Sequence, residues 1–236
     1  MGILVASVQG DFVARVSGLD LSKPLDDGDF GQVRDAFDRY AVLVFPEQPQ
    51  SDEQQIAFSE RFGPLEVSIR KDRPRAVARA EVSDLSNVDA DGRLYAPDDE
   101  RAIYNAGNRL WHSDSSFKRV PAMASLLSGR EVPPQGGETE FADVRAAWDA
   151  LPADRNRGLD ALVAEHSFVY SRGLIGYDQF TDAERAIVPP VQQAVVRTHP
   201  ATGRKSLYLG SHASHIIGRS VEEGRALLKE LLEFAT

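Results

Sequence analysis

The segment Asn108-Arg109-Leu110-Trp111-His112-Ser113-Asp114 constrains this chain more than any other. It sets an imidazole and a carboxylate two residues apart. On an extended strand, residues i and i+2 share a face, so His112 and Asp114 can grip one cation together. Leu110 and Trp111 are apolar, Ser113, Ser115 and Ser116 are small, and Phe117 closes the run. That order predicts a strand leaving a core and entering a polar loop. A strand histidine followed by a turn-opening aspartate would give the same letters, so the rest of the chain has to decide.

The bulk numbers remove several classes. A chain of 236 residues can hold one sizeable domain or two small ones. Its formal net charge of -9 argues against a nucleic-acid partner. It leaves room for a small anionic substrate in a locally basic pocket. There are no cysteines. Disulfide scaffolds, thiolate-held zinc, iron–sulfur clusters and a cysteine nucleophile are therefore excluded, and a reducing, cytoplasmic home fits. No apolar run approaches the roughly 18 residues of a membrane span, and the start MGILVASVQGDF lacks the basic region of a signal peptide. No GxxxxGK[ST] loop and no GxSxG elbow occurs.

Periodicity and punctuation give the elements. Residues 3–8 and 12–16 read as a strand pair, 29–40 as a helix, and Ala41-Val42-Leu43-Val44-Phe45 as a buried strand. Ser51 caps a helix carrying Ile56, Phe58 and Phe62. From Glu66 to Asn105 the chain is polar and reads as loops with one strand at 82–88. Further strands are expected at 122–130 and 138–141, over the extended run 162–169, and at 194–198 and 206–210. Helices are expected after the caps Asp143, Thr181 and Ser220, and after Pro152. Trp148 is expected in the core. The mixture predicts an α+β or mainly β domain, with a jelly-roll, cupin-like double-stranded β-helix as the natural host for a metal in its mouth, flanked by helices. No linker or repeat divides it, so residues 1–236 read as a single domain.

A histidine and a carboxylate on one face, joined by a second histidine from elsewhere, form the facial triad of non-haem Fe(II) oxygenases. Around this pair the sequence carries a wider resemblance. NRLWHSDSSF, then VPPQGGETEFADVRAAWDALP, RTHPATGRKSLYLGSHASHI and GRALLKELLEFAT stand in one order, after YAVLVFPEQPQSDEQQIAFSERFGPLE. Together they resemble the taurine / 2,4-dichlorophenoxyacetate dioxygenase family, which depends on Fe(II) and 2-oxoglutarate, and within it the 2,4-dichlorophenoxyacetate (aryloxyacetate) branch.

The resemblance implies that His112 and Asp114 are two of three iron ligands. It implies that Thr139, in GGETEF, bonds the 2-oxoglutarate carboxylate, and that Asn108 borders the substrate and cofactor. It also implies that His199 and His215 surround an aryloxyacetate. Arg70 and Lys71, from the basic run that includes Arg73, Arg75 and Arg79, are candidates for the substrate carboxylate; a solvated surface loop is the alternative. The implied cofactors are Fe(II), 2-oxoglutarate and O2. The implied assembly is a cytoplasmic homo-oligomer with a small-molecule carboxylate substrate. The family's distal histidine ligand and its 2-oxoglutarate-binding arginine align past Thr236, so the domain is expected to be incomplete at its C-terminus, without the closing strands. His199, His212 and His215 are the in-chain alternatives for the third ligand, and a satisfied buried histidine is the competing reading for both His166 and His212. A sulfonate or sulfate-ester substrate, and a non-catalytic barrel binding a small carboxylate or metal, are the rival functions.

Overall fold

The computed structural model describes residues 2–67, 79–89 and 91–236. It falls into two compact units. The first comprises Met1–Glu66, Met123–Phe141 and Pro200–Gly203. The second comprises Val67–Ala122, Ala142–His199 and Arg204–Thr236.

In the first unit β1 (Leu4–Gln9) and β2 (Val13–Ser17) form an antiparallel hairpin. The turn is closed by Phe12 N–H donating to Gln9 O at 2.9 Å. Ala14 and Val16 of β2 are buried while Arg15 is exposed, the alternation of a half-covered strand. Helix α1 (Asp27–Tyr40) starts at Asp26, whose carboxylate accepts from Asp29 N. It buries Val33, Ala36 and Tyr40. Ala41, at φ +58°, ends it, and β3 (Val42–Val44) pairs parallel to β2. The buried strand expected at 41–45 is thus shorter and only partly covered, with Val44 44% exposed; it is the edge of a three-stranded sheet. Helix α2 (Asp52–Glu60) opens on a capping box between Ser51 and Gln54. The apolar side chains close as an aromatic cluster, with Phe30 and Phe62 edge to face at 5.1 Å.

Two expected strands of this unit do not form. Residues 122–130 have no partner strand; the Leu126 carbonyl instead accepts from the Gln55 side chain at 3.2 Å. Residues 138–141 are exposed and irregular. They follow Gly136 and Gly137, both in the left-handed region, and Glu138 and Glu140 leave no apolar face to bury.

The second unit opens on irregular chain among its described residues. Residues 82–88 make only a bridge between Val88 and Leu94 around a turn. Beyond them Asp99 caps helix α3 (Glu100–Ala106), inside the stretch read as loop. Then come α4 (Val144–Ala150), capped by Asp143, the single turn α5 (Ala153–Asn156), β4 (Val163–His166), α6 (Phe168–Gly173) and α7 (Asp182–Ile187). They are followed by β5 (Val191–Ala194), β6 (Val196–Thr198), β7 (Lys205–Leu207), β8 (Ala213–Ile216) and α8 (Val221–Ala235). The extended run expected to Val169 stops at His166, because the Ser167 hydroxyl accepts from Tyr170 N and starts a helix. Strands order as β5-β4-β8, and β6 pairs with β7. Trp148 lies in the core with Ala164, Leu207, Ile216, Leu228 and Leu231. The architecture is a mixture of helices and small sheets. No helix among the described residues is long and apolar enough to cross a membrane.

Candidate metal centre

The segment that carries the His-x-Asp pair lies wholly in the second unit. Helix α3 passes into a 3-10 turn at Gly107–Arg109, and the backbone then extends through Leu110. Residues 111–114 are not a strand, contrary to expectation. Other groups hold them. Ser211 N–H donates to Trp111 O at 2.8 Å, and the Ser113 hydroxyl donates to Leu209 O at 3.2 Å. Gly210, at φ +125°, lies flat against His112: a Cβ there would stand 2.7 Å from the His112 Cα. Beyond Asp114 the chain turns sharply at Ser115, at φ +56°. The buried Gln193 amide pins that turn, donating to Ser116 O at 3.1 Å and Lys118 O at 2.8 Å. A left-handed non-glycine residue held by a buried side chain is the kind of strain that clusters at functional sites.

Within this frame His112 Nε2 and Asp114 Oδ1 converge to 3.2 Å. The Nδ1 atom lies 2.7 Å from Leu110 O. A carbonyl only accepts, so Nδ1 carries the proton and Nε2 is left with its lone pair toward Asp114. The Asp114 carboxylate raises the His112 pKa above its usual value. A neutral imidazole nitrogen beside a carboxylate oxygen is a donor set that suits a divalent first-row metal. Two donors fit such an ion here. Among the described residues no group of three or more His, Cys, Asp or Glu side chains could hold a metal.

His212 completes the wall of the centre. Its ring meets that of His112 at right angles, 6.1 Å between centroids. It also packs on Phe117 at 4.9 Å and stacks on Phe168 at 6.1 Å. Its Nδ1 lies 3.3 Å from the hydroxyl of the fully buried Ser116. Burial first, and then the charges of His112 and Arg172, push its pKa down to about 3, so the ring is neutral at ordinary pH.

The other expected site residues are placed as follows. Asn108 is exposed on the turn four residues before His112. His215 sits on β8, with Nδ1 2.9 Å from the Ser214 hydroxyl and 3.7 Å from Glu165. His199 follows β6 and donates its backbone N–H to Arg204 O at 2.8 Å. Thr139 lies in the first unit, on the exposed irregular stretch. Arg70 and Lys71 fall outside the described residues. The structure thus draws His112 and Asp114 together and adds His212, which the sequence left open. It also brings in Ser116, Gln193, Gly210 and Arg172. Of these, only Gly210, just before SHASH, carried a signal: a glycine where a loop passes another backbone.

The profile of the taurine catabolism dioxygenase TauD, TfdA family matches residues 5–236, and the chain belongs to that family. Particular relatives narrow the similarity. The chain is 45% identical over 238 residues to the alpha-ketoglutarate-dependent 2,4-dichlorophenoxyacetate dioxygenase of Cupriavidus pinatubonensis, covering 100% of this chain and 83% of that protein. It is 46% identical over 227 residues to the enzyme of the same name from a Burkholderia species, covering 95% of this chain and 76% of the other. Among solved structures, AAD-2 in complex with Mn(II) and N-oxalylglycine superposes with a TM-score of 0.90 at 49% identity, over 100% of this chain and 81% of AAD-2.

Proposed function

We propose that this chain is an Fe(II)- and 2-oxoglutarate-dependent dioxygenase that hydroxylates the CH2 between the ether oxygen and the carboxylate of an aryloxyacetate. The reaction consumes O2 and 2-oxoglutarate and releases succinate and CO2. The hydroxylated carbon is a hemiacetal, which loses its ether oxygen as a phenol and leaves glyoxylate. The observation that carries this reading is the convergence of His112 Nε2 and Asp114 Oδ1 at 3.2 Å, with Nδ1 already committed to Leu110 O. The similarity to the two 2,4-dichlorophenoxyacetate dioxygenases supports the substrate class.

In this reading His112 and Asp114 hold the iron, which supplies the oxidant for the C–H bond when 2-oxoglutarate and O2 are bound. The chain's own task is positional. Leu110 O fixes the His112 tautomer, and Gly210 and Gln193 fix the loop that carries both donors. His212 walls His112 on one side, and Phe117 and Phe168 pack on His212 from behind, which keeps water from that side. Thr139 and Asn108 are assigned to the 2-oxoglutarate side, and His199, His215, Arg70 and Lys71 to the substrate. The two units are taken as parts of one dioxygenase domain, which the single family match supports. A jelly-roll core, a homo-oligomeric assembly and a cytoplasmic location complete the proposal.

Oxygen uptake with Fe(II), 2-oxoglutarate and a substrate panel tests it. Phenol release from phenoxyacetates is expected. Sulfite release from taurine without phenol release would move the chain to the sulfonate branch.

A further inference from the structure

Arg172 is a buried cation with no counter-ion among the described residues. It sits on α6 and is 9% exposed. Among the described residues its sealed Nε has no hydrogen-bond partner, and no carboxylate pairs with its guanidinium. What surrounds it is aromatic and backbone. The guanidinium lies 4.6 Å from the Tyr104 ring centroid and 4.9 Å from that of Phe168. It also rests on Gly107, where a Cβ would fall 1.5 Å from Nη1. Cation–π contacts return only part of the cost of burying an ion, and an arginine cannot discharge itself by losing a proton. A buried guanidinium is matched by an anion that accepts charge-assisted hydrogen bonds, which a carboxylate does.

Its position gives that anion a role. Gly107, under the guanidinium, opens the short turn that leads to His112. Phe168, against the guanidinium, also stacks on His212, whose ring abuts His112. One aromatic ring therefore separates the charge from the wall of the candidate metal centre.

We infer that Arg172 is the counter-ion for the carboxylate of a small ligand bound beside His112 and Asp114. The inference rests on the dioxygenase reading for the identity of the ligand. Two sources share this chemistry, the co-substrate 2-oxoglutarate and the aryloxyacetate.

Titration of the Mn(II)-loaded protein separates them: 2-oxoglutarate alone, then phenoxyacetate in the presence of 2-oxoglutarate. These are run on wild type, Arg172→Lys, Arg172→Met and Gly107→Ala. Gly107 has ordinary helical dihedrals, so alanine there disturbs the guanidinium rather than the backbone. Expected is a loss of roughly tenfold or more in affinity for one ligand in Arg172→Met, as when one charge-assisted bond is removed. The other ligand should hold within about threefold, Arg172→Lys should be intermediate, and Gly107→Ala should weaken the same ligand. The weakened ligand names the source. If both affinities stay within about threefold of wild type, or fall together without recovery in Arg172→Lys, the residue only packs and the inference is overturned. Should Arg172→Met fail to fold, Arg172→Lys and Gly107→Ala decide by the same criterion. A wild type that binds 2-oxoglutarate but neither binds nor turns over phenoxyacetate sinks the substrate reading, while the 2-oxoglutarate titration still judges Arg172. A wild type that binds neither overturns both.

Discussion

Gly210 and His112 touch backbone to backbone: a Cβ on Gly210 would stand 2.7 Å from the His112 Cα and 3.2 Å from both the His112 C and the Ser113 N. The contact explains how an irregular segment can hold the candidate ligand pair. A strand would have fixed His112 and Asp114 through its ladder; here the loop after β7 does so by pressing a side-chain-free residue onto them. Gly210→Ala should therefore push the segment outward and also strain the backbone, since φ is +125°. About 2 kcal/mol of stability should go, by the usual cost of such strain. Metal affinity should drop by roughly 10- to 100-fold, as when the support of a ligand is lost. Metal retention after dialysis, read beside the melting temperature, checks this. Wild-type retention in a folded variant would show that the contact does not position the pair.

The ligand assignment itself is tested by removing one donor. His112→Ala removes one of the two donors, so iron binding and 2-oxoglutarate consumption should both vanish. The side chain is 28% exposed and anchors no core, so the fold should survive. Circular dichroism and melting establish that, and 2-oxoglutarate consumption near the native rate would refute the assignment.

A third close approach bears on stability alone. Gly224 of α8 faces β8 so closely that a Cβ would be 2.6 Å from Ile216 N. Alanine is the better helix former by about 1 kcal/mol, and on an exposed face Gly224→Ala would stabilise. Here helix and strand must separate, opening the contact between Ile216 and the buried Leu228 and Leu231. A net loss of about 2 kcal/mol is expected, as in other overpacked cores. A higher urea midpoint for the variant would show that α8 can shift without loss.

Four helix caps were legible because their signals are local, whereas α3 and α6, capped by Asp99 and Ser167, were read as loop and as extended chain. Ser51, Asp143, Thr181 and Ser220 each precede a helix as their side chains predict, and each hydroxyl or carboxylate accepts from the backbone it was expected to reach. The strands at 82–88, 122–130 and 138–141 failed because pairing is not local. None of the three met a partner strand among the described residues, and Val88 makes only an isolated bridge to Leu94. His112 and Asp114 were legible as a pair, but for a different geometric reason: the pleat expected between them is absent, and a turn at Ser115 with a clamp at Gly210 takes its place. Arg172 was invisible. Nothing in VYSRG distinguishes it from a surface arginine; only burial against Tyr104, Phe168 and Gly107 does.

His166 supplies a pH test. It is wholly buried on β4, stacked on Tyr208 at 5.4 Å, and neither ring nitrogen has a hydrogen-bond partner among the described residues. Burial, with the Arg197 charge adding to it, lowers its pKa from 6.5 to about 4. In the folded protein the ring stays neutral down to about pH 4, whereas in the unfolded chain it takes a proton once the pH falls below 6.5. The unfolded state thus binds more protons in that window, and folding weakens as pH falls through it. The slope approaches about 1.4 kcal/mol per pH unit for one group. Above pH 7 the ring contributes no pH dependence. His166→Phe removes the titration and the two unpartnered nitrogens together. The variant should gain on the wild type as the pH falls from 6.5 to 4.5, while the difference between them stays constant from pH 7 to 8. Urea unfolding at half-unit steps measures that difference. A difference that does not change with pH would mean that the buried ring already takes up its proton at the pH of the unfolded one.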